Sequence, residues 1–248
     1  MLKAKLRWES LWEMNRLIII GASGHGKVVA DIAKLMGYKD IVFLDGDRSL
    51  KECAGYPVIG SEEMVENITG DLFIAVGNSS VRKKLMEKNK DRYFPVLIHP
   101  SVVVAERTEI GAGTVIMAGA VINSDSKIGK GNIINTCASV DHDCIMGDYC
   151  HLAVGAHMCG TVKVGNEVWI GAGATVSNNI TICSETTIGA GALVVKDIKH
   201  SSTYIGIPAR VMKMKIKIGG GNTLWALNTY RLTVYAEISD KKYRRLAC

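Results

Sequence analysis

The 248-residue sequence has no apolar run approaching the ~20 residues of a membrane span, so it reads as a soluble protein with no membrane insertion. It lacks a secretory signal as well, because Arg7, Glu9 and Glu13 interrupt the opening "MLKAKLRWESLWEMNRLIII". Met14 is a natural start for the folded part, which makes residues 1–13 an extension. Its seven cysteines form no CxxC pair, the pattern of reduced, packed thiols in a cytoplasmic protein. The chain also has no basic excess where a nucleic-acid surface would need one. Residues 211–248 hold eight Lys/Arg against two acids, which accounts for +6, the net charge of the whole chain. Residues 1–13 add +1 and residues 14–210 sum to −1, so the charge belongs to the tail and no nucleic-acid partner is expected.

What the sequence does have is a repeat. From Ile98 an aliphatic residue recurs every six positions through Val104, Ile110, Ile116 and onward to Ile182, Ile188 and Val194 without a slip. Four positions after each comes a residue that is usually small, such as Thr114, Ala120, Ser126, Ala138 or Ala156. One large and one small inward residue per six is the pattern of a parallel β-helix in which three hexads close one coil. Gly111, Gly129, Gly147 and Gly165 fall eighteen apart and therefore stack on one corner, where glycine is expected to supply unusual backbone angles. A triangular prism with flat faces, and "HLAVGAHMCG" on them, suggests a closed homotrimer with active sites between subunits.

Residues 14–97 alternate instead as βαβ. The spacing predicts strands at Leu17–Ile20, Ile41–Leu44 and Leu72–Val76, and helices at Lys27–Met36 and over "SSVRKKLMEKNK". Such a Rossmann-like unit brings "GASGHGKV" (Gly21–Val28), Asp45 and Gly77 to one sheet edge, where ligands bind. As a P-loop the stretch lacks Ser/Thr after GK, having Val28, and as a dinucleotide fingerprint its glycines run G-x-x-G-x-G. A glycine-opened helix N-terminus still offers N–H groups to a diphosphate. The alternative is a tight turn with no ligand.

Together, "GASGHGKV", "FLD", "AVGN", "NT", "HD", the hexads and "GIPAR" (Gly206–Arg210) resemble bacterial hexapeptide-repeat sugar acetyltransferases over about residues 16–212. The likeness is strongest to UDP-4-amino-sugar N-acetyltransferases of the bacillosamine type, with sialic acid O-acetyltransferases as relatives. General crossover rules favour right-handed connections, but the resemblance implies a left-handed β-helix. It further implies acetyl-CoA as co-substrate, no metal, and a UDP-amino sugar as acceptor. The expected division is an extension (1–13), a nucleotide-sugar domain (14–97), a β-helix acetyltransferase domain (98–199), a closing segment (200–215) and a tail (216–248). By position, Ser23, Gly24, His25, Asp45 and Gly77 would bind the nucleotide-sugar. His142 would be the general base with Asp143 as its supporting acid, His151 would meet the thioester region, and Ala172 and Ala190 would line the cofactor's arm. Some members have two adjacent acids after the second strand, where this chain has Asp45-Gly46-Asp47.

The residues themselves support a histidine base. His142 lies at a corner between Asp141 and Asp143, and imidazole beside a carboxylate suits proton removal from an attacking amine. No role is assigned to Asp141. Cys144 and Cys150 fall on inward positions, and the outward Cys137 and Cys159 have no adjacent histidine, so direct transfer is expected rather than an acyl-enzyme. Two rival readings differ in class: a zinc carbonic anhydrase using His142, His151 and His157, and a non-catalytic trimeric scaffold.

Overall fold

A computed structural model describes the backbone of residues 16–218, 222–227 and 233–236. The N-terminal part comprises β1 (Arg16–Ile20), α1 (Gly24–Leu35), β2 (Asp40–Leu44), β3 (Glu52–Cys53), β4 (Tyr56–Gly60), β5 (Asp71–Ile74) and α2 (Ser79–Lys88). Its sheet has the order β3-β4-β2-β1-β5, and β1 lies parallel to both β2 and β5. The central run Leu17–Ile20 is buried because both sheet faces are covered. Leu17 and Ile19 pack on Val29, Ala30 and Ala33 of α1, whereas Ile18 and Ile20 pack with Met86 of α2 and Phe94. The short antiparallel β3–β4 pair was not foreseen, since neither segment has an apolar period long enough to stand out. α1 begins three residues before the expected Lys27, so Gly24 and Gly26 lie within it. Gly26 is required there, because a Cβ would run into the Gly21 carbonyl.

From Leu97 the chain forms the left-handed β-helix, built of two-residue parallel strands whose second residue is the hexad aliphatic. Successive coils pair in a fixed register, as in Val121↔Ser139 and Ile133↔His151. Ile116, Ile122, Ile134, Val140, Leu152, Met158, Ile170 and Ile182 are fully buried, with Ala120, Cys144, Cys150 and Ala156 filling the narrow positions between them. The three faces differ. That of Leu97, Val115 and Ile133 lies under α1, in one apolar cluster with Val29 and Ala33. That of Glu109, Lys127, Ile145 and Lys163 is charged and exposed, with a Lys127–Glu109 ion pair. That of Val103, Val121, Ser139, His157, Thr175 and Leu193 is largely neutral and has no partner among the described residues.

The stacked corner glycines are present, but for a different reason from the one expected. Gly111, Gly129, Gly147 and Gly165 do not occupy the left-handed region. They are required because the next coil is too close: a Cβ on Gly147 would sit 2.7 Å from the Gly165 carbonyl carbon. The left-handed corner positions hold other residues, including Gly173 (φ +65°) and Gly191 (φ +65°), and also Cys137, Asp143 and Glu167.

Thr203–Ile205 adds a last parallel strand and turns back through "GIPAR", whose Ile207–Pro208 peptide is cis, into antiparallel Arg210–Val211. Beyond it, Lys213–Ile218, Asn222–Leu227 and Thr233–Ala236 form a separate antiparallel sheet. The tail, whose structure the sequence left open, thus contains a hairpin. The extension 1–13 and the triple glycine lie outside the described residues.

These two kinds of glycine should respond differently to a methyl group. Gly173→Ala meets nothing within 4 Å and should cost about 1–2 kcal/mol for its left-handed backbone. Gly147→Ala must displace the neighbouring coil and should lower the thermal midpoint clearly further. Equal midpoints in a melting series would contradict the close-approach explanation.

Candidate active site

His142 occupies the corner between the neutral and the charged face, opposite the face that α1 covers. Its Nδ1 lies 2.8 Å from the Asp143 carboxylate. An ionised carboxylate only accepts, so Nδ1 carries the proton and Nε2 keeps its lone pair. Asp143 sits in the left-handed region (φ 57°), a sparsely populated conformation for a residue with a side chain. Asp141, which had no assigned role, accepts from the His142 backbone N–H at 2.8 Å and from Asn123 Nδ2 at 2.8 Å. The hydrogen bond to Asp143, and secondarily the Asp141 charge, raise the His142 pKa above its ordinary value. Gly160, one coil further on, was not singled out in the sequence. A Cβ there would lie 2.6 Å from His142 Nε2, so only glycine leaves the base nitrogen room. The eighteen-residue register could have found it.

His151 points outward, as expected, yet it is only partly exposed. The N-terminal part of the chain covers it, and it stacks on Trp169 with ring centroids 6.0 Å apart and planes 11° from parallel. Thr136 N–H donates to Asn135 Oδ1 at 2.8 Å, which fixes the amide so that Nδ2 donates to His151 Nε2 at 3.1 Å. His25, from the glycine loop, lies close enough for its charge to act on His151. Burial, then the Arg82 charge, push both imidazoles down to about 4. His25 Nε2 is buried without a hydrogen-bond partner.

The rest of the glycine loop is open. Ser23 caps α1 without a side-chain bond, and α1's first-turn amides have no partner within the helix. Gly24 and Gly77 are exposed, with nothing within 4 Å of a Cβ on either. Asp45 ties the loop down: Oδ2 accepts from Ala22 N–H at 2.7 Å and Oδ1 from Asp47 N–H at 2.9 Å. Asp45 also lines a cleft of about 260 Å³ with Asp47, Arg48, Lys51 and Ser61. The two cations there escaped the sequence reading because the cleft needs the unforeseen β4.

Ala172 and Ala190 stack on a third place, the corner between the α1-covered and the neutral face, joined by Gly191 N–H to the Ala172 carbonyl at 2.8 Å. Both are exposed, as are Val154 on the same column and Cys137 on the same corner. Within one chain the expected residues therefore fall into three groups, and His142 is on the opposite side of the prism from the glycine loop. The carbonic anhydrase reading suffers from the same separation. His142 is on a corner, His151 under the N-terminal part, and His157 on the neutral face, 2.8 Å from Ser139 Oγ.

Residues 16–89 match the PglD N-terminal domain family. A UDP-N-acetylbacillosamine N-acetyltransferase of Bacillus subtilis (strain 168) is 38% identical over 114 residues, 42% of this chain and 52% of that protein, so the match spans about half of that curated relative. The acetyltransferase domain of PglB from Neisseria gonorrhoeae FA1090, in complex with acetyl coenzyme A, is 42% identical with a TM-score of 0.76, covering 79% of this chain and 98% of that one. PerB from Caulobacter crescentus, in complex with CoA and GDP-perosamine, is 38% identical with a TM-score of 0.76, covering 80% and 97%.

The two depressed imidazoles have a thermodynamic consequence. Each binds its proton more weakly folded than unfolded, so the stability they contribute is complete above about 6.5 and is lost as pH falls toward about 4. The thermal midpoint should decline over that window at fixed ionic strength, and less steeply in His151→Gln. A flat midpoint from pH 6.5 to 5 would contradict the burial of both rings.

Proposed function

Given that the chain belongs to the bacterial hexapeptide-repeat sugar N-acetyltransferases, we propose that it moves an acetyl group from acetyl-CoA to the 4-amino group of a UDP-linked amino-deoxy sugar. The observation that carries this reading is the His142–Asp143 pair, with a free Nε2 held over Gly160. The neutral amine attacks the thioester carbonyl while Nε2 takes its proton, and the C–S bond breaks to release CoA, whose thiolate recovers a proton from the imidazolium or from solvent. Asp143 stabilises the imidazolium that forms. Direct transfer is preferred to an acyl-enzyme: burial raises the Cys144 thiol to about 11 and Cys144 is fully buried, while the exposed Cys137 lies on a different corner. The half-buried Cys159 beside Gly160 would be implicated only if His142→Ala kept its rate.

In this reading, residues 14–97 hold the acceptor and residues 98–199 the donor, with 200–215 closing the coil. The loop of Ser23, Gly24 and His25, with Asp45 and Gly77, holds the nucleotide-sugar, and Arg48 and Lys51 add positive charge beside it. His151, neutral at working pH, offers an uncharged ring to the thioester region. The exposed Ala172–Ala190 column lets the cofactor's arm run along backbone. Because His142 lies across the prism from its own glycine loop, the complete site takes residues from two chains, and the neutral face joins three chains in a closed ring. An acetyl-CoA donor and free cysteines support a cytoplasmic reaction.

Incubation with acetyl-CoA and a panel of UDP- and GDP-linked amino sugars together with sialic acid, followed by free CoA, tests the assignment. Turnover with a UDP-4-amino sugar is expected, whereas turnover only with sialic acid would move it to O-acetylation. His142→Ala should lower kcat by roughly 10²–10⁴ with little change in the KM for acetyl-CoA. His151→Ala should disturb both. In the wild type, kcat/KM should rise with pH along a limb set by the raised His142 pKa. Asp143→Asn removes the largest cause of that rise, so its limb should move to lower pH. A limb that does not move would argue against His142 as the base. Light scattering should give three times the chain mass.

A further inference from the structure

Arg82, the fourth residue of α2, belongs to no recognisable motif, yet it is the largest fully buried side chain among the described residues, 1% exposed. It has no carboxylate partner among the described residues. Its five N–H donors go to five backbone carbonyls: Nε to Gly131 (2.7 Å), Nη1 to Val76 (2.8 Å) and Gly77 (3.0 Å), Nη2 to Tyr149 (2.8 Å) and Cys150 (3.3 Å). Val76 and Gly77 belong to the loop after β5, at the sheet edge that carries the glycine loop. Gly131, Tyr149 and Cys150 belong to successive β-helix coils, and Cys150 directly precedes His151. Packing around it is close. A Cβ on Gly113 or Gly131 would meet Met86, one turn further along α2, and Lys83 pairs with Glu167 at 2.7 Å across the same boundary.

We propose that Arg82 is a positioning residue for acetyl transfer, which fixes the loops of the N-terminal part against the coil bearing His151 and so sets His25 and His151 side by side. A planar guanidinium can satisfy carbonyls on both parts of the chain at fixed angles, which a lysine ammonium with three donors cannot. Because carbonyls do not neutralise it, its charge also reaches both imidazoles and adds to burial, the larger cause, in keeping them neutral. The other ionisable groups around Arg82 are Cys150 and Tyr149, with Glu167 engaged by Lys83. The positioning role rests on the function proposed above; the effect on the two histidines does not.

The test uses the full chain with Arg82→Lys and Arg82→Met, each checked for fold by circular dichroism. Arg82→Lys should lower kcat by about 10²-fold, the scale of a 1 Å misplacement, with a much smaller change in the KM for acetyl-CoA. A folded Arg82→Lys enzyme with wild-type kcat overturns the proposal, since a mere structural clamp would lower only the melting temperature. In Arg82→Met, side-chain NMR should show His25 and His151 titrating together at higher pH than in the wild type. Unmoved titrations also overturn it. Should Arg82→Met fail to fold, Arg82→Lys decides alone. If the wild-type protein acetylates no amino sugar, the proposed function fails, and the histidine titrations still judge Arg82.

Discussion

Each β-helix coil satisfies its backbone almost entirely through the coils before and after it, in a register that holds at eighteen residues from Leu97 to Val194. Everything else in the C-terminal part depends on that constraint. A two-residue strand pairs only if its neighbours present the same two residues' backbone, so an insertion in one hexad would turn every later aliphatic residue out of the core. The reward is that side chains far apart in sequence become vertical neighbours. Asn123 supports Asp141, Gly160 clears space over His142, and Arg107 pairs with Asp125.

The same geometry gives one residue type opposite chemistries. At the open corner, with two carboxylates at hand, His142 is made more basic. Under the N-terminal part, burial and then the unneutralised Arg82 guanidinium lower His151 and His25 to about 4, so both rings are neutral near neutral pH. Only the first suits a general base, while the others can contribute shape and uncharged hydrogen bonds. Burial decides the assignment; proximity to the phosphate-suited loop alone would have favoured His25.

The β-helix was legible because each hexad states its own inward position, and seventeen of them agree. The corner glycines were read correctly in place but not in cause. Left-handed angles here are tolerated by Asp143, Cys137 and Glu167, whereas the approach of the next coil admits no side chain. The His142 corner was legible from "VDHDC" and the hexad phase. His151 was placed on the correct face, but its covering could not be seen, since it depends on where α1 and α2 dock. Arg82 was invisible for the same reason. In "SSVRKKLMEKNK" it stands beside Lys83 and Lys84, and only the burial of Met86 one turn later separates its face from theirs. Contacts within one periodic element follow from the sequence, and contacts between two different elements require the packed structure.

The organisation that emerges divides the reaction between chains. The glycine loop and His142 lie on opposite sides of one prism, so under the proposed function neither side of the site is complete without a neighbour. Subunit complementation tests this most directly, by coexpressing two variants that are each inactive alone, one with His142→Ala and one with a glycine loop blocked by Gly24→Trp. Random mixing in a closed three-fold ring pairs an intact base with an intact loop in about a quarter of the sites, and activity near that fraction of wild type is expected. Mixed trimers that show no activity above either parent would contradict a site shared between chains.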